Sequence, residues 1–405
     1  MRNWRTRSAR ACVTISLLAA AAAAAPQPAI VLIDAGDKAQ WQSWISGLPA
    51  DSGWQIIAPA ASANTPIDER VEAIEAAARE AVKSGSADPL RLYLAGRNEA
   101  AAAVFYTISR APDLWAAGVA LGSSPEPAID TGRIYSGNFA LVPVLWAGKG
   151  DADRALAGKL AGQGLKIEWR SGDKLSVAGL FEWLGSHARP EFPAAIDCET
   201  SSPTFASCYW IRMTKLDAAE RNDVLPSTRI APAIKPALDL GAFGYKIGDP
   251  GPGILISTLP EKYSGRLKIG DRIIELNGRP IADARGYAAM MAEFREEKPV
   301  AVMVQRGKEK FRIETNVVLA TRAPEVTARV QASYDAAAGE IQIVSRAVTG
   351  MQVTAPARWM PCTLNWNGAP VGKLEGTEGT RCFALRIEKE LENMGPCGAD
   401  GQAKD

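Results

Sequence analysis

The sequence predicts a multidomain α/β + β protein, with a three-layer α/β domain first, then an α+β partial barrel, then a small antiparallel β domain. Three observations lead there. From Ala29 to Ser186 short apolar runs alternate with helical patterns, as in a mainly parallel sheet covered on both faces. From Leu240 to Glu314 short β-type runs with Gly-Asp and Asn-Gly turns surround one helical stretch. Beyond Pro324 the runs alternate apolar and polar residues, as a half-buried antiparallel sheet does. A chain of 405 residues is also too long for one ordinary core.

The first residues stand apart from the rest. Arg2, Arg5, Arg7 and Arg10 precede Val13-Thr14-Ile15-Ser16-Leu17-Leu18 and an alanine run, the pattern of an export signal over residues 1–25. The apolar run is shorter than the ~20 residues a membrane span needs. No membrane span is expected after cleavage, and the mature chain is expected in the periplasm or outside the cell. Setting those four arginines aside leaves 42 of the 46 basic residues against 45 acidic ones, which gives no reason to expect nucleic acid or an anionic membrane as partner.

Export permits disulfides. Cys198–Cys208 would close a short loop and Cys362–Cys382 is the next most economical pair, while pairing of Cys362 or Cys382 with Cys397 stays open. With no Cys-x-x-Cys and a single histidine, no zinc site or other metal is expected, and no cofactor motif occurs.

Taken in order, Ile30–Ile33 and Trp54–Ala58 read as strands. Thr65-Pro66-Ile67-Asp68 then opens a helix with an N-cap, a proline at its first position and an acid in its first turn. Ile67, Val71, Ile74 and Val82 mark its buried face and Gly85 its end. Arg91–Gly96 is a buried strand, and the alanine-rich run after Ala100 a helix. Gly118–Leu121, Val142–Trp146 and Leu165–Trp169 are further strands, and Leu175–Ser186 is the closing helix. The proline-rich stretch from Pro190 to Pro232 contains one strand, Tyr209–Met213. Asp283–Phe294 is the helix of the barrel, with Tyr287, Met291 and Phe294 on one face.

Strand, one-residue corner, helix is the setting of the nucleophile elbow, written Gly-x-Ser-x-Gly in its active form. Here Gly96-Arg97-Asn98-Glu99-Ala100 keeps the small flanking residues and puts Asn98 at the corner. Asparagine tolerates the positive φ that the corner requires, but a carboxamide is no acyl-transfer nucleophile. The elbow, Asp88-Pro89-x-Arg91-x-Tyr93-Leu94-Ala95-Gly96 before it, and Pro112-Asp113-Leu114-Trp115 after it resemble the α/β-hydrolase superfamily, in particular secreted esterases of the polyhydroxybutyrate-depolymerase-like branch. That resemblance covers about 160 residues. It implies an acid after a late strand, for which Asp151 and Asp153 are the residual candidates. It also implies a histidine after the last strand, where this chain has Ser171-Gly172-Asp173-Lys174, and an oxyanion loop where Asp34-Ala35-Gly36-Asp37 would oppose negative charge. His187 lies beyond the closing helix, a place that suits a helix-terminal structural residue. Ser123-Ser124 follow a strand end and could line a cleft.

Gly265–Ile281 resembles a PDZ domain, over about 85 residues ending near Val318. Such a domain implies binding of a peptide or protein C-terminus by strand addition. Ala242-Phe243-Gly244-Tyr245 falls at the family's carboxylate-binding loop, so Ala242, Phe243, Gly244, Tyr245 and Ile247, with Tyr287 and Met291 of the helix, are the expected peptide-binding residues. A large apolar pocket there would favour a hydrophobic terminal side chain. The expected boundaries are 26–195 for the α/β-hydrolase-like domain, 196–232 for a linker lending a strand to the last domain, 233–320 for the PDZ domain, 321–393 for the β domain and 394–405 for a mobile tail. The sequence thus points to a pseudo-hydrolase serving as a peptide-binding or scaffold protein, with a hydrolase of non-standard catalytic set as the alternative.

Overall fold

The computed structural model describes residues 25–33, 41–42, 46, 53–59, 66–172, 175–232, 235–246, 248–320, 326–376, 379–387 and 391–397. The first part of the chain forms a six-stranded sheet from β1 (Gln27–Leu32), β2 (Gln55–Ile57), β3 (Ala87–Arg97), β4 (Ala117–Leu121), β5 (Val144–Gly148) and β6 (Ile167–Ser171). Its order is β2-β1-β3-β4-β5-β6 with every neighbouring pair parallel. The crossovers are α1 (Ile67–Lys83), α2 (Ala101–Arg110), α3 (Glu126–Ile129) and α4 (Asp151–Gly162), and α5 (Val177–Gly185) follows β6.

Both faces are covered, which is why these strands are apolar throughout rather than alternating. Val71 and Ile74 of α1, Val104 and Ile108 of α2 and Leu160 of α4 pack with Val31 and Leu94 on one side. Leu180 and Leu184 of α5 pack with Ile30, Tyr93 and Leu145 on the other. Two boundaries differ from the sequence reading. The N–H of Ile167 turns back onto the carbonyl of Leu165 at 2.9 Å, so the last strand starts at Ile167 instead of Leu165. Pro66 occupies the cap position of α1 and helix begins at Ile67, while Thr65 lies outside the described residues.

The linker does more than lend one strand. It holds β7 (Ala195–Thr200), β8 (Ser207–Cys208) and β9 (Ile211–Leu216). A separate unit follows, built from β10 (Lys235–Leu238), β11 (Gly244–Tyr245), β12 (Ile254–Thr258), β13 (Arg272–Leu276), β14 (Arg279–Pro280), α6 (Ala284–Ala292), β15 (Lys298–Arg306) and β16 (Glu309–Ala320). Its strand order is β10-β16-β15-β13-β12-β11, with β14 on β13. Asp283 caps α6, accepting the Gly286 N–H at 2.8 Å. Ile254, Ile273, Val302 and Val304 form the core with Tyr287 and Met291. Asp271 fixes the turn into β13. Burial opposes its charge, but Nε and Nη2 of Arg306, each at 2.8 Å, and the Lys268 N–H hold the carboxyl below its usual range.

The last strands are β17 (Ala328–Asp335), β18 (Glu340–Arg346), β19 (Val348–Pro356), β20 (Cys362–Trp366), β21 (Ala369–Leu374), β22 (Thr380–Ile387) and β23 (Leu391–Pro396). They make two five-stranded sheets, β21-β20-β18-β17-β7 and β23-β22-β19-β9-β8, that share a core of Val330, Ile343, Met351, Trp210 and Trp366. β7 and β9 thus each join a strand from beyond Val326, in the registers Cys198–Val330 and Ile211–Val353. A lone strand is not stable by itself, and these two find partners more than 100 residues away.

Cys198–Cys208 ties the two sheets together, and Cys382 pairs with Cys397 instead of Cys362, which is free and buried on β20. Cys362 and Cys382 sit on strands of different sheets, whereas β23 brings Cys397 beside β22. The same pairing corrects the expected tail: the chain is held in a strand and a disulfide as far as Cys397. Two disulfides are consistent with an oxidising compartment. The expected export signal lies outside the described residues except for Ala25, and among the described residues no helix is long and apolar enough to cross a membrane.

Candidate functional site

The corner after β3 is built as tightly as its residue types suggest. Asn98 has φ of 50°, in the left-handed region, and leads through a single 3₁₀ turn into α2. A Cβ on Gly96 would lie 2.3 Å from the carbonyl oxygen of Ala100, so strand and helix pass at a distance only glycine allows. Gly122, at the turn after β4, lies over the carboxamide, where an added Cβ would sit 3.2 Å from Asn98 Oδ1. Asn98 is exposed at the carboxyl end of the sheet, the edge at which parallel α/β sheets place their ligands.

The residues a hydrolase would need beside it are spent elsewhere. Asp153 accepts the Lys149 N–H at 2.6 Å and closes the turn from β5 into α4, while Asp151 is exposed in the first turn of that helix. His187 sits at the opposite end of the sheet. Its Nδ1 donates to the carbonyl of Trp183 at 2.7 Å, its ring lies 4.4 Å from the Trp183 ring at a tilt of 48°, and its own carbonyl accepts the Tyr93 hydroxyl at 2.8 Å. Two residues on, the Arg189 N–H binds the Leu90 carbonyl near the start of β3. Asn98 follows the other end of that strand. The chain has one histidine, so none can stand in for it. Asp34–Asp37, Asp173 and Lys174 lie outside the described residues, and among the described residues no group of three or more metal-ligating side chains is arranged to hold an ion.

The second candidate is the segment between β10 and β11. Gly241 has φ of 77°, and the backbone N–H groups of Gly241, Ala242 and Phe243 meet no acceptor among the described residues. Consecutive free N–H groups in a bend form a concavity suited to a carboxylate. β11 is the edge strand of its sheet, so its outer side is open for strand addition, and a Cβ on Gly244 would collide with Thr258 Oγ1 at 2.2 Å.

Sequence reasoning did not single out Tyr263, which shapes this loop. Its hydroxyl donates to the Leu240 carbonyl at 2.6 Å, and its ring occupies the space that side chains on Gly241 and Gly265 would need. A tyrosine inside a long turn has no period to betray it; the glycines on either side were the only signal.

Tyr287 and Met291 stand differently from the expectation that they line an open pocket. They are 6% and 5% exposed and belong to the core, and burial raises the Tyr287 phenol above its usual range. Tyr245 seals them, its ring edge-on to Tyr287 at 5.5 Å. The space between strand and helix, where a large apolar pocket would favour a hydrophobic terminal side chain, thus holds the protein's own tyrosines. Phe243 is half-buried against the same core, and Ile247 lies outside the described residues.

No family model matches this chain and no curated protein does either. Solved structures similar to it include a thermostable esterase (16% identity, TM-score 0.31, 41% of this chain and 56% of that one), Arabidopsis thaliana SOBER1 L63A (14%, 0.30, 40% and 99%) and a bacterial heroin esterase (14%, 0.29, 40% and 74%). This chain therefore spans little more than half of the first of them. TM-scores of this size carry no argument about activity. The first and third of these are named as esterases, and the likeness is at low identity and over about 40% of this chain's length.

Proposed function

We propose that this chain is an exported pseudo-hydrolase that works as a peptide- or protein-binding scaffold, its PDZ-like unit (β10–β16 with α6) taking a C-terminal carboxylate at Gly241–Phe243. The observation that carries the reading is the run of unpartnered N–H groups beside a free sheet edge. A ligand strand added to β11 satisfies both sets of groups at once. Loss of catalysis is supported by Asn98 at the corner and by His187 held at the other end of β3. The sealed tyrosine pair supports recognition through main chain and carboxylate before side chain.

Fluorescence anisotropy with a library of labelled peptides tests it. Peptides with a free C-terminus bind and their amidated forms bind at least ~tenfold more weakly, since a charged hydrogen-bonded group is worth about 1.5–3 kcal/mol. Equal binding of acid and amide, or no binding by any member, defeats the proposal. The alternative, a hydrolase of non-standard catalytic set, draws on Ser123 and Ser124 beyond Gly122, which faces Asn98. Ester hydrolysis lost in Ser123→Ala or Ser124→Ala would favour it.

A further inference from the structure

We propose that two copies of this chain pair through the free edge of β6, antiparallel and about a two-fold axis at Trp169. β6 is the last strand on its side of the sheet, and no described strand pairs with its outer edge. Along a strand, alternate residues turn their N–H and C=O groups to opposite sides. The Lys166 carbonyl accepts from Val144 of β5 at 2.8 Å, so Lys166, Glu168 and Arg170 face inward, and Ile167, Trp169 and Ser171 face the free edge. The Ile167 N–H is already used by Leu165. What remains open among the described residues is the Ile167 carbonyl and both groups of Trp169 and of Ser171.

Apart from the Ser171 carbonyl, which would face the occupied Ile167 N–H, that set is its own complement. With Trp169 opposite Trp169 of a second copy, the two tryptophans exchange N–H and C=O, and each Ser171 N–H meets the Ile167 carbonyl of the other strand. The side chains agree with the same register. Glu168 falls opposite Arg170 of the second copy, twice by symmetry, and opposite charges across a strand pair stabilise it. Both are accessible, with side chains 45% and 37% exposed, and already bind each other within one chain at 2.7 Å.

The other face of β6 offers aromatic surface. Between β6 and α4 lies an open cleft of about 600 Å³ lined by Trp169, Arg154, Gly158 and Ala161. The Trp169 Nε1–H is buried there with no acceptor, and the Arg154 guanidinium lies 5.9 Å over its ring. Pairing sets the two indoles side by side across the axis, an arrangement worth about 0.5–1.5 kcal/mol beyond burial. A strand from a foreign protein would have no reason to match both the backbone set and the charge order. A second copy matches both.

Sedimentation velocity of the exported protein, from sub-micromolar to tens of micromolar, gives the test. The wild-type chain sediments as a dimer at the upper end. Arg170→Glu places four like charges around the axis and weakens dimerisation about tenfold or more, with an unchanged melting curve. Glu168→Arg does the same, and an equimolar mixture of the two variants restores the dimer, because each strand then carries the charge the other needs. Arg170→Glu leaves the bond from Trp183 Nε1 to Glu168 in place, so it decides the matter alone should Glu168→Arg melt early. A wild-type monomer at every concentration, a dimer indifferent to Arg170→Glu, or folded variants that fail to pair when mixed would each overturn the assignment.

Discussion

Placing a hydroxyl at the corner of the α/β sheet should not produce catalysis. In Asn98→Ser the new Oγ would stand at the exposed tip of the turn between β3 and α2. A serine is activated only when a base reaches it within about 2.6–3.2 Å. The sole histidine is anchored to Tyr93, five residues back along β3, about 16 Å away at 3.3 Å per residue, and its Nδ1 is committed to Trp183. No rotamer of either side chain closes that gap. The substitution also has a cost, because serine holds φ near 50° less well than asparagine, by about 1 kcal/mol. For a unit of this size that lowers the melting temperature by about 2–4 °C. Release of p-nitrophenolate from short-chain esters should therefore stay at the wild-type level while thermal unfolding shifts slightly downward. A rise of about a hundredfold in kcat/KM, or a stoichiometric burst of p-nitrophenolate, would show that a base does reach the corner and would refute the reasoning.

Other consequences follow from the buried polar groups and the tight turns. Glu199, 1% exposed, accepts from Ser227, Thr228, Thr327 and Arg346, so Glu199→Ala takes the acceptor from these donors, although Arg346 keeps the carbonyls of Leu225 and Thr327, and should cost about 1–3 kcal/mol, read as a lowered urea midpoint. Asp113 is half-buried as a residue, but its Oδ1 is sealed without a hydrogen-bond partner; burial raises its pKa, with Arg79 opposing and Glu75 reinforcing the shift. A raised carboxyl favours folding below its unfolded pKa and loses that benefit as pH climbs through the folded value. Asp113→Asn should accordingly melt higher than wild type at pH 8 and alike at pH 4; a lower melting point at pH 8 would mean that the carboxylate is paired. In Gly96→Ala the new methyl meets the Ala100 backbone, which cannot retreat, so loss of about 2 kcal/mol or more is expected by denaturant unfolding.

Much of the architecture could be read from residue pattern alone. Apolar runs such as Val31 and Leu94 announced a sheet covered on both faces, because a strand without a polar side has no water-facing surface to offer. The corner at Asn98 was equally legible, since glycine and asparagine mark backbone conformations that few other residues tolerate. Gly270-Asp271 and Asn277-Gly278 marked the turns of the central unit for the same reason, and Asn277 does take a positive φ.

Only the tertiary structure could decide questions of partnership. Pattern shows that Ile211 lies on a strand, but not that Cys198 and Cys382 lie on strands too, that β7 and β9 bridge to strands beyond Val326, or that Cys382 faces Cys397 and leaves Cys362 free. Tyr287 and Met291 carry the helical spacing of a groove wall and of a core alike. It took Tyr245, brought over from another strand, to settle which side of them is covered. Local spacing fixes the direction in which a side chain leaves its own backbone; what it meets there is chosen by other segments, from 15 to more than a hundred residues off, whose approach no local pattern encodes.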